Sequence, residues 1–364
     1  MEWKHYKMDE LIEEISMGPF GSDVKKEFYV DNGVPILNGS NLQGFKLQED
    51  SFGYLTKEKA DSLKKSNAHR GDIIVTHRGT LGQIVYVPVN SKYDRYVISQ
   101  SQFRFRCKAD LVDVQYLVYY FHTREGQYKI LANASQVGVP ALARATSTFR
   151  LIDIKLPPLD DQRRIASILS SLDRKIELNN KINADLEEMA QAIFKNWFVD
   201  FEPFKDGKFV DSELGMIPEG WKVGRLEDIA NIVGGSTPSK AKPEYYTQKG
   251  IAWLTPKDLS NHPAVYTSRG EIDITEEGYN STSTKLMPKG TILFTSRAPI
   301  GYISIAQNDI CTNQGFKSLV PKKAGTCFLY CFLKYVTPEI ENKSTGSTFK
   351  EASGALMKSL QVIM

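Results

Sequence analysis

The sequence contains no apolar run long enough to cross a membrane, which takes about 18 consecutive residues. Its first residues, MEWKHYKMDELIEE, are too charged for a secretory signal peptide. The four cysteines, Cys107, Cys311, Cys327 and Cys331, show no disulfide framework, which suits a reducing compartment. Cys327 and Cys331 lie one helical turn apart and are expected to be buried helix residues rather than metal ligands. The sequence therefore predicts a cytoplasmic protein without membrane association.

The motifs of common enzymes are also missing. The chain has no GxxxxGK[ST] phosphate loop, no GxGxxG after a strand, no HExxH and no GxSxG turn. It lacks the [DN]PP[YF] segment expected of an amino-methyltransferase, and its five histidines are scattered without metal spacing. Adjacent carboxylates, such as Glu187 and Glu188, are better explained as a solvated helix face. We therefore predict no catalytic residue, no metal site and no cofactor bound by this chain.

Composition sets broader limits. The 364 residues are enough for two ordinary domains and one further element. An apolar content of 41% and a charged content of 24% are typical of a globular protein. The net charge of +3 is small for a nucleic-acid-binding protein, so total charge gives little indication of function.

One stretch, residues 159–204, is predicted to form a long helix. Its apolar residues recur at steps of three and four, and no proline or glycine interrupts it before Pro203. Asp160 or Asp161 is the expected N-cap, and from Asp160 to Trp197 the helix would be roughly 57 Å long. We interpret it as a spacer between two domains; the alternative is a long core helix inside one domain. A narrow apolar seam, expected to be a subunit interface, comprises Ile165, Leu169, Leu172, Ile176, Ile182, Leu186, Met189, Ile193 and Trp197.

The two flanks of this helix resemble each other, which indicates a duplicated domain. Trp3-Lys4 opens the first flank and Trp221-Lys222 opens the second. RGDIIVTHRGTLGQI (70–84) aligns with KGTILFTSRAPIGYI (289–303) without a gap, and ISQSQF (98–103) aligns with CTNQGF (311–316). Each flank mixes short apolar strands with helices.

The predicted fold is therefore α+β, with two similar mixed α/β domains joined by a long coiled-coil-like spacer helix. The predicted boundaries are 1–158 for the first domain, 159–204 for the helix, and 205–364 for the second domain. The second domain would begin with a linker, because residues 201–220 are rich in glycine and proline.

The residues best suited to bind a partner lie in turns at matching places of the two repeats. Arginine pairs bidentately with phosphate or guanine, amide side chains pair with adenine, and glycine allows close approach of the backbone. The alternative is ordinary turn chemistry and surface solvation. The candidate DNA-binding residues are Gly21, Ser22, Thr76, His77, Arg78, Thr80, Gln100 and Gln102 in the first repeat, and Ser236, Thr237, Lys257, Ser296, Arg297, Asn313 and Gln314 in the second.

Two segments carry a resemblance to a known family. LPPLDDQRRIASILSSLDRKIELNNKINADLEEMAQAIFKNWFVDFEPF (156–204) closely resembles the central conserved region of the specificity subunit of type I restriction-modification enzymes. SELGMIPEGWKVGRLEDIA (212–230) is similar to the start of that family's second target-recognition domain. The resemblance implies a non-catalytic subunit that binds a bipartite double-stranded DNA sequence. Modification subunits would bring S-adenosylmethionine and adenine methylation, and restriction subunits would bring cleavage and translocation driven by ATP with Mg²⁺.

The sequence departs from the family in one respect, because the family usually has a second long helix after the second recognition domain. Here no counterpart follows Met364. We therefore expect the chain to self-associate, with the spacer helices of two copies packing antiparallel. A second hypothesis is a truncated interaction protein that acts in assembly through this helix. A stand-alone enzyme has little support in the sequence.

Overall fold

The structure, a computed structural model, describes residues 2–135, 138–346 and 350–364, without the side chains of Ser22 and Lys26. It divides into two compact units, Met1–Asn179 and Asn180–Met364. The boundary falls inside the long helix, so each half of that helix belongs to the unit on its own side. No helix within the described ranges combines the length and the hydropathy needed to span a membrane.

The first unit contains two main sheets. Ile12–Met17, Gln102–Cys107, Ile73–Thr76 and Ile84–Tyr86 form an antiparallel four-stranded sheet in that order. A five-stranded mixed sheet has the order Tyr29–Val30, Gly53–Leu55, Val34–Ile36, Arg95–Val97 and Asn67–His69. Shorter pairs join Lys4–Lys7 to Asp153–Leu156 and Ala134–Ser135 to Ala141–Leu142. The helices of this unit before the long one are Met8–Leu11, Lys57–Ser62, Val114–His122, Arg124–Leu131 and Ala145–Arg150.

The strand Ile73–Thr76 explains how the two sheets share the interior of the unit. Successive side chains of a strand point to opposite faces. Ile73 and Val75 pack with the helices, while Ile74 packs into a separate core with residues that include Tyr96 and Ile98. Because both faces are buried, the strand is a continuous apolar run rather than an alternating one.

The second unit repeats this architecture around a five-stranded sheet. Its order is Ala230–Gly234, Lys317–Pro321, Ile292–Ser296, Ile300–Ala306 and Tyr266–Thr267, with the last pairing parallel. Two-stranded pairs join Phe209–Val210 to Ile217–Pro218, Val223–Arg225 to Gln361–Ile363, Tyr246–Thr247 to Asp273–Ile274, and Trp253–Leu254 to Cys311–Thr312. Its other helices are Leu226–Ile229, Pro256–Asn261, Glu276–Asn280, Thr326–Lys343 and Gly354–Ser359.

The strand register confirms the internal repeat. In the first unit Arg104 lies opposite Ser16. In the second unit Lys317, which aligns with Arg104, lies opposite Gly234, which aligns with Ser16. The predicted fold class is confirmed: the chain is α+β, with two similar units and one long helix between their sheets.

The long helix is shorter than predicted, because it runs from Leu159 to Phe198 instead of reaching residue 204. Asp200 donates its backbone N–H to the Lys195 carbonyl, and Phe201 adopts a left-handed backbone with φ of 54°. That conformation ends the series of helical backbone hydrogen bonds before Pro203. Residues 201–220, predicted to be a linker, contain a 3₁₀ turn, Glu202–Phe204, and the small hairpin of Phe209–Val210 with Ile217–Pro218.

The predicted N-cap of the long helix was also wrong. The Pro158 carbonyl accepts hydrogen bonds from the Asp161 and Gln162 backbones at 2.9 and 3.0 Å, so Pro158 holds the N-cap position. Asp160 and Asp161 lie inside the first turn, where their negative charges interact favourably with the positive end of the helix dipole. The expectation of two buried cysteines fails at Cys327, which is exposed, while Cys331 is buried.

Each half of the helix packs on one helix of its own unit. In the first unit Asp173 accepts a hydrogen bond from the Tyr119 hydroxyl on helix Val114–His122. In the second unit Glu187 accepts one from the Tyr330 hydroxyl at 2.7 Å on helix Thr326–Lys343, and the Phe194 ring lies 5.4 Å from the Phe328 ring. Equivalent helices of the two repeats therefore hold the two halves of one helix.

Gln162 fixes the start of the long helix to the first unit. Its side chain is buried, and its Oε1 accepts a hydrogen bond from the Asp113 backbone at 3.0 Å. Its Nε2 donates to the Leu111 and Pro157 carbonyls, both at 3.0 Å. One amide thus satisfies three backbone groups and joins the start of the helix to the loop that contains Leu111 and Asp113.

Removing this amide should destabilise the first unit. Gln162→Ala leaves three backbone groups without their partner, and one unsatisfied buried group costs roughly 1–3 kcal/mol. We expect the free energy of unfolding of this unit to fall by about 2 kcal/mol or more in urea titrations. Gln43→Ala, at an exposed glutamine of the same unit, is the control. Equal unfolding midpoints for the two variants would contradict this role of Gln162.

Candidate functional site

The first unit brings three predicted DNA-binding residues together where strand Ile73–Thr76 ends. His77 donates its backbone N–H to the Ser101 carbonyl at 2.9 Å, and its ring Nε2 lies 3.1 Å from the Gln100 carbonyl. A β-carbon placed on Gly21 would lie 2.5 Å from Oε1 of Gln100. Gly21, His77 and Gln100 therefore form one contiguous surface.

The environment of His77 in this surface favours its neutral form. Burial lowers the pKa of its imidazole, and the neighbouring Arg78 charge acts in the same direction. Because a carbonyl can only accept, Nε2 carries the proton and donates to Gln100, which leaves Nδ1 as an acceptor. In this neutral form His77 can accept a hydrogen bond from a ligand through Nδ1.

Arg78 and Thr80 lie in the turn that follows His77, and both are exposed. The backbone of Arg78 forms a bridge with Ala141, and Gly79 donates its N–H to the Pro140 carbonyl at 2.9 Å. Gly79 has a φ of 90°, a conformation that favours glycine. The turn is therefore held on a second segment while the Arg78 side chain points into solvent.

Three predicted DNA-binding residues do not lie on the surface. Thr76, Gln102 and Ser296 are buried. The Thr76 hydroxyl donates to Oε1 of Gln83 at 2.9 Å, Oε1 of Gln102 accepts the Ser99 N–H at 2.9 Å, and the Ser296 hydroxyl donates to the Gly315 carbonyl at 3.2 Å. These side chains shape the turns from inside, so direct contact with a ligand is excluded in this conformation. The Ser22 side chain lies outside the described residues.

The second unit gathers the remaining candidates at the equivalent place. The Thr237 hydroxyl donates to Oε1 of Gln314, and the Ser236 N–H donates to the Thr312 carbonyl at 3.0 Å. Oδ1 of Asn313 accepts the Gly315 N–H at 2.8 Å, which turns this loop back on itself. Lys257 is exposed. It lies beside this loop, because it follows Pro256, and the Pro256 ring would lie 2.8 Å from a β-carbon placed on Gly315.

Arg297 occupies the position of Arg78 but has a different environment. Its guanidinium lies 3.4 Å from Glu351, and the same carboxylate lies 3.4 Å from Nζ of Lys317. The backbone bridge that Arg78 makes to Ala141 is made by Arg297 to Glu351. The first unit therefore places an alanine beside this arginine, and the second unit places a carboxylate beside the equivalent arginine. Glu351 was not among the residues predicted from the sequence. The charged pair Lys350-Glu351, which aligns with the apolar pair Ala141-Leu142 of the first repeat, is the signal that could have found it.

The predicted subunit-interface residues form an exposed apolar surface on the long helix. Leu169 is half-buried, and the exposed fraction of the other eight side chains lies between 37% and 59%. An apolar surface of this extent usually marks an interaction site. Within the described ranges, no group of three or more His, Cys, Asp or Glu residues could hold a metal ion.

These features define a class: a duplicated α+β protein with polar turns at matching ends of its two units and an exposed apolar seam on one long helix. A family model described as the type I restriction modification DNA specificity domain matches residues 1–188 and again residues 218–364. The chain therefore belongs to the type I restriction-modification specificity family.

Individual relatives agree with this assignment. The HindI specificity subunit of Haemophilus influenzae is 24% identical over 95% of this chain and 86% of its own length. A putative MjaX specificity subunit of Methanocaldococcus jannaschii is also 24% identical, over 99% of this chain and 82% of its own length. The MjaIX specificity subunit of that organism is 44% identical over 158 residues, which are 43% of this chain and 36% of the relative.

A solved structure shares the fold. The crystal structure of a type I restriction-modification S subunit from M. genitalium aligns with all of this chain and 84% of its own chain, with a TM-score of 0.56 and 19% sequence identity. At this identity the similarity shows the fold alone.

The contrast between Arg78 and Arg297 generates a prediction about DNA binding. Arg78→Ala should weaken binding by about 1–3 kcal/mol, because an exposed arginine is free to pair with phosphate or guanine. Arg297→Ala should cost less, because its charge is already balanced by Glu351. Glu351→Ala should tighten binding by up to about 1 kcal/mol, since an exposed ion pair holds its arginine only weakly. Fluorescence anisotropy of the assembled complex at several salt concentrations measures all three. Equal losses for both arginine variants would contradict the asymmetry.

Proposed function

We propose that the chain is the DNA-recognition subunit of a type I restriction-modification complex and binds a bipartite, asymmetric site in double-stranded DNA. Each unit would read one half-site through its turn surface. The long helix would set the unread spacing between the half-sites. The chain itself would be non-catalytic. Modification subunits would bind S-adenosylmethionine and methylate adenine, and restriction subunits would use ATP and Mg²⁺.

A single observation carries this proposal: the same scaffold presents different polar residues at its two matching turns. Gln100 stands where the second unit has Asn313. The backbone bridge that Ala141 makes to the arginine of the first unit is made by Glu351 in the second. Two related surfaces with different hydrogen-bonding groups are suited to reading two different sequences, because bases are distinguished by their donors and acceptors.

A domain exchange tests this function. Residues 1–155 are replaced by the equivalent residues of another family member, and the chain is expressed with modification subunits. Sequencing of methylated adenines across the genome should show a new first half-site and an unchanged second half-site, because each unit has its own core. The reciprocal exchange of residues 218–364 is the control and should change only the other half. A single exchange that altered both halves would contradict independent reading.

The exposed seam favours a second role, assembly through the long helix. The seam has an approximate internal symmetry about Lys181. Seven of its nine residues have an apolar counterpart at the same distance on the other side, whereas Ile182 and Met189 have the polar counterparts Asn180 and Asp173. The matched pairs are Ile165 with Trp197, Leu169 with Ile193, Leu172 with Ala190, Ile176 with Leu186, and Asn179 with Asn183. In an antiparallel pair of identical helices, such positions face each other across a two-fold axis. We propose that a second copy of the chain packs on this seam and that modification subunits compete for it.

Charged substitutions in the seam test this assembly. Ile176→Asp with Leu186→Asp places two carboxylates on the matched pair nearest the asparagines. Burying one Leu or Ile contributes roughly 1.5–3 kcal/mol, so self-association should be lost while the units stay folded. Arg174→Asp with Lys181→Asp, which alters exposed positions of the same helix outside the seam, should leave it intact. The measurement is sedimentation velocity at micromolar concentration, together with co-purification of modification subunits. A wild-type chain that stays monomeric under these conditions would contradict self-association.

A further inference from the structure

Phe20 is the most exposed large apolar side chain in the part of the chain that the structure describes, with 83% of its surface accessible. It lies in the loop Gly18-Pro19-Phe20-Gly21, whose other members are small or cyclic. No described aromatic ring packs against it. Burial of a phenylalanine side chain stabilises a folded protein, and this ring is not buried. The exposed ring therefore contributes no such stability to the unit.

The loop holds this ring on a fixed backbone. The Gly18 N–H donates to the Gln102 carbonyl at 2.8 Å, and a β-carbon on Gly18 would lie only 1.9 Å from the Ser99 carbonyl oxygen. On the other side, the Phe20 N–H donates to the Asp23 carboxylate at 3.2 Å, and the Asp23 N–H donates to the Phe20 carbonyl at 2.9 Å. The backbone that carries the ring is therefore held by hydrogen bonds on both sides of the ring, and holding a contact group in place lowers the entropy cost of binding.

The ring also stands next to the turn surface of the first unit. Gly21, its neighbour, lies against the Gln100 side chain, and the Gln100 carbonyl binds His77, which precedes Arg78. An apolar ring at the edge of amide, imidazole and guanidinium groups matches the chemistry of proteins that kink DNA, in which such groups read the duplex while a wedge opens a base step. The corresponding loop of the second unit, Gly234–Ser239, contains no aromatic residue.

We propose that Phe20 is a wedge that inserts between two base pairs at the first half-site and unstacks them. The inference rests on the proposed function, because it requires the first unit to bind duplex DNA. Only the first half-site would be opened, since the second unit has no equivalent ring. The wedge would make recognition depend on how easily one base step deforms, in addition to the hydrogen bonds of Gln100 and Arg78.

The test uses the chain assembled with modification subunits and duplexes that contain the methylated motif. 2-Aminopurine, whose fluorescence rises when it loses stacking, replaces single bases along both half-sites. The methylated adenine is left out, because base flipping by the modification subunits would unstack it independently. The wild-type complex should raise fluorescence at one step of the first half-site and at none of the second. Phe20→Ala should abolish the rise and weaken DNA binding roughly 5- to 150-fold, the range of one base–aromatic stack.

Two further variants sharpen the test. Phe20→Trp keeps a ring that can stack and should retain the fluorescence rise. Val89→Ala is the matched control, because Val89 is 82% exposed and follows the strand Ile84–Tyr86 at the end remote from the turn surface. It should change neither fluorescence nor affinity.

The outcomes separate the wedge from its alternatives. A Phe20→Ala complex that binds DNA within two-fold of wild type and keeps the fluorescence rise would overturn the wedge. Failure of the folded Phe20→Ala chain to assemble with modification subunits would also overturn it and would identify Phe20 as a protein contact. A wild-type complex that binds the motif without unstacking any step would overturn the wedge alone. A wild-type complex that binds no DNA would overturn the proposed function as well.

Discussion

An uninterrupted backbone hydrogen-bond ladder from Leu159 to Phe198 is the constraint on which the rest of the structure depends. Forty residues without proline or glycine make one helix, and each of the two compact units holds one half of it. Gln162 fixes the first half through three hydrogen bonds to buried backbone groups. Phe194 and Glu187 fix the second half by aromatic packing and an ion pair with Lys334. Contacts on both sides leave the seam as the face of the helix that stays exposed.

The two units show how one scaffold can carry different electrostatics. In the first, Arg104 and Asp72 form a buried ion pair at 3.3 Å, which Arg106 and Glu14 extend toward the surface. The Arg104 hydrogen bond lowers the pKa of Glu14, which keeps its carboxylate charged. In the second unit Thr291 replaces Asp72, and Lys317, at the place of Arg104, pairs with Glu351 instead. The pairing of charges between these strands therefore changes while the strand register is kept.

Periodicity made the long helix, the repeat and the central strands predictable from the sequence. A three- and four-residue recurrence over forty residues has no other simple explanation, and two aligned apolar runs of the same length point to equivalent strands. The end of the helix was not predictable, because it depends on the left-handed backbone of Phe201. The candidate site was predictable in place but less so in detail. Thr76, Gln102 and Ser296 were misassigned because polar side chains beside a strand buried on both faces turn inward to satisfy neighbouring groups.

The continuity of the helix also limits how such a chain can change length during evolution. Each residue inserted into the helix rotates the part of the helix that follows it by about 100° about the helix axis. A single insertion would therefore move the following part of the seam off the helix face that carries the preceding part. Four inserted residues leave a mismatch of about 40°, and seven leave about 20°. Lineages of this family should therefore gain or lose helix residues in blocks close to whole turns.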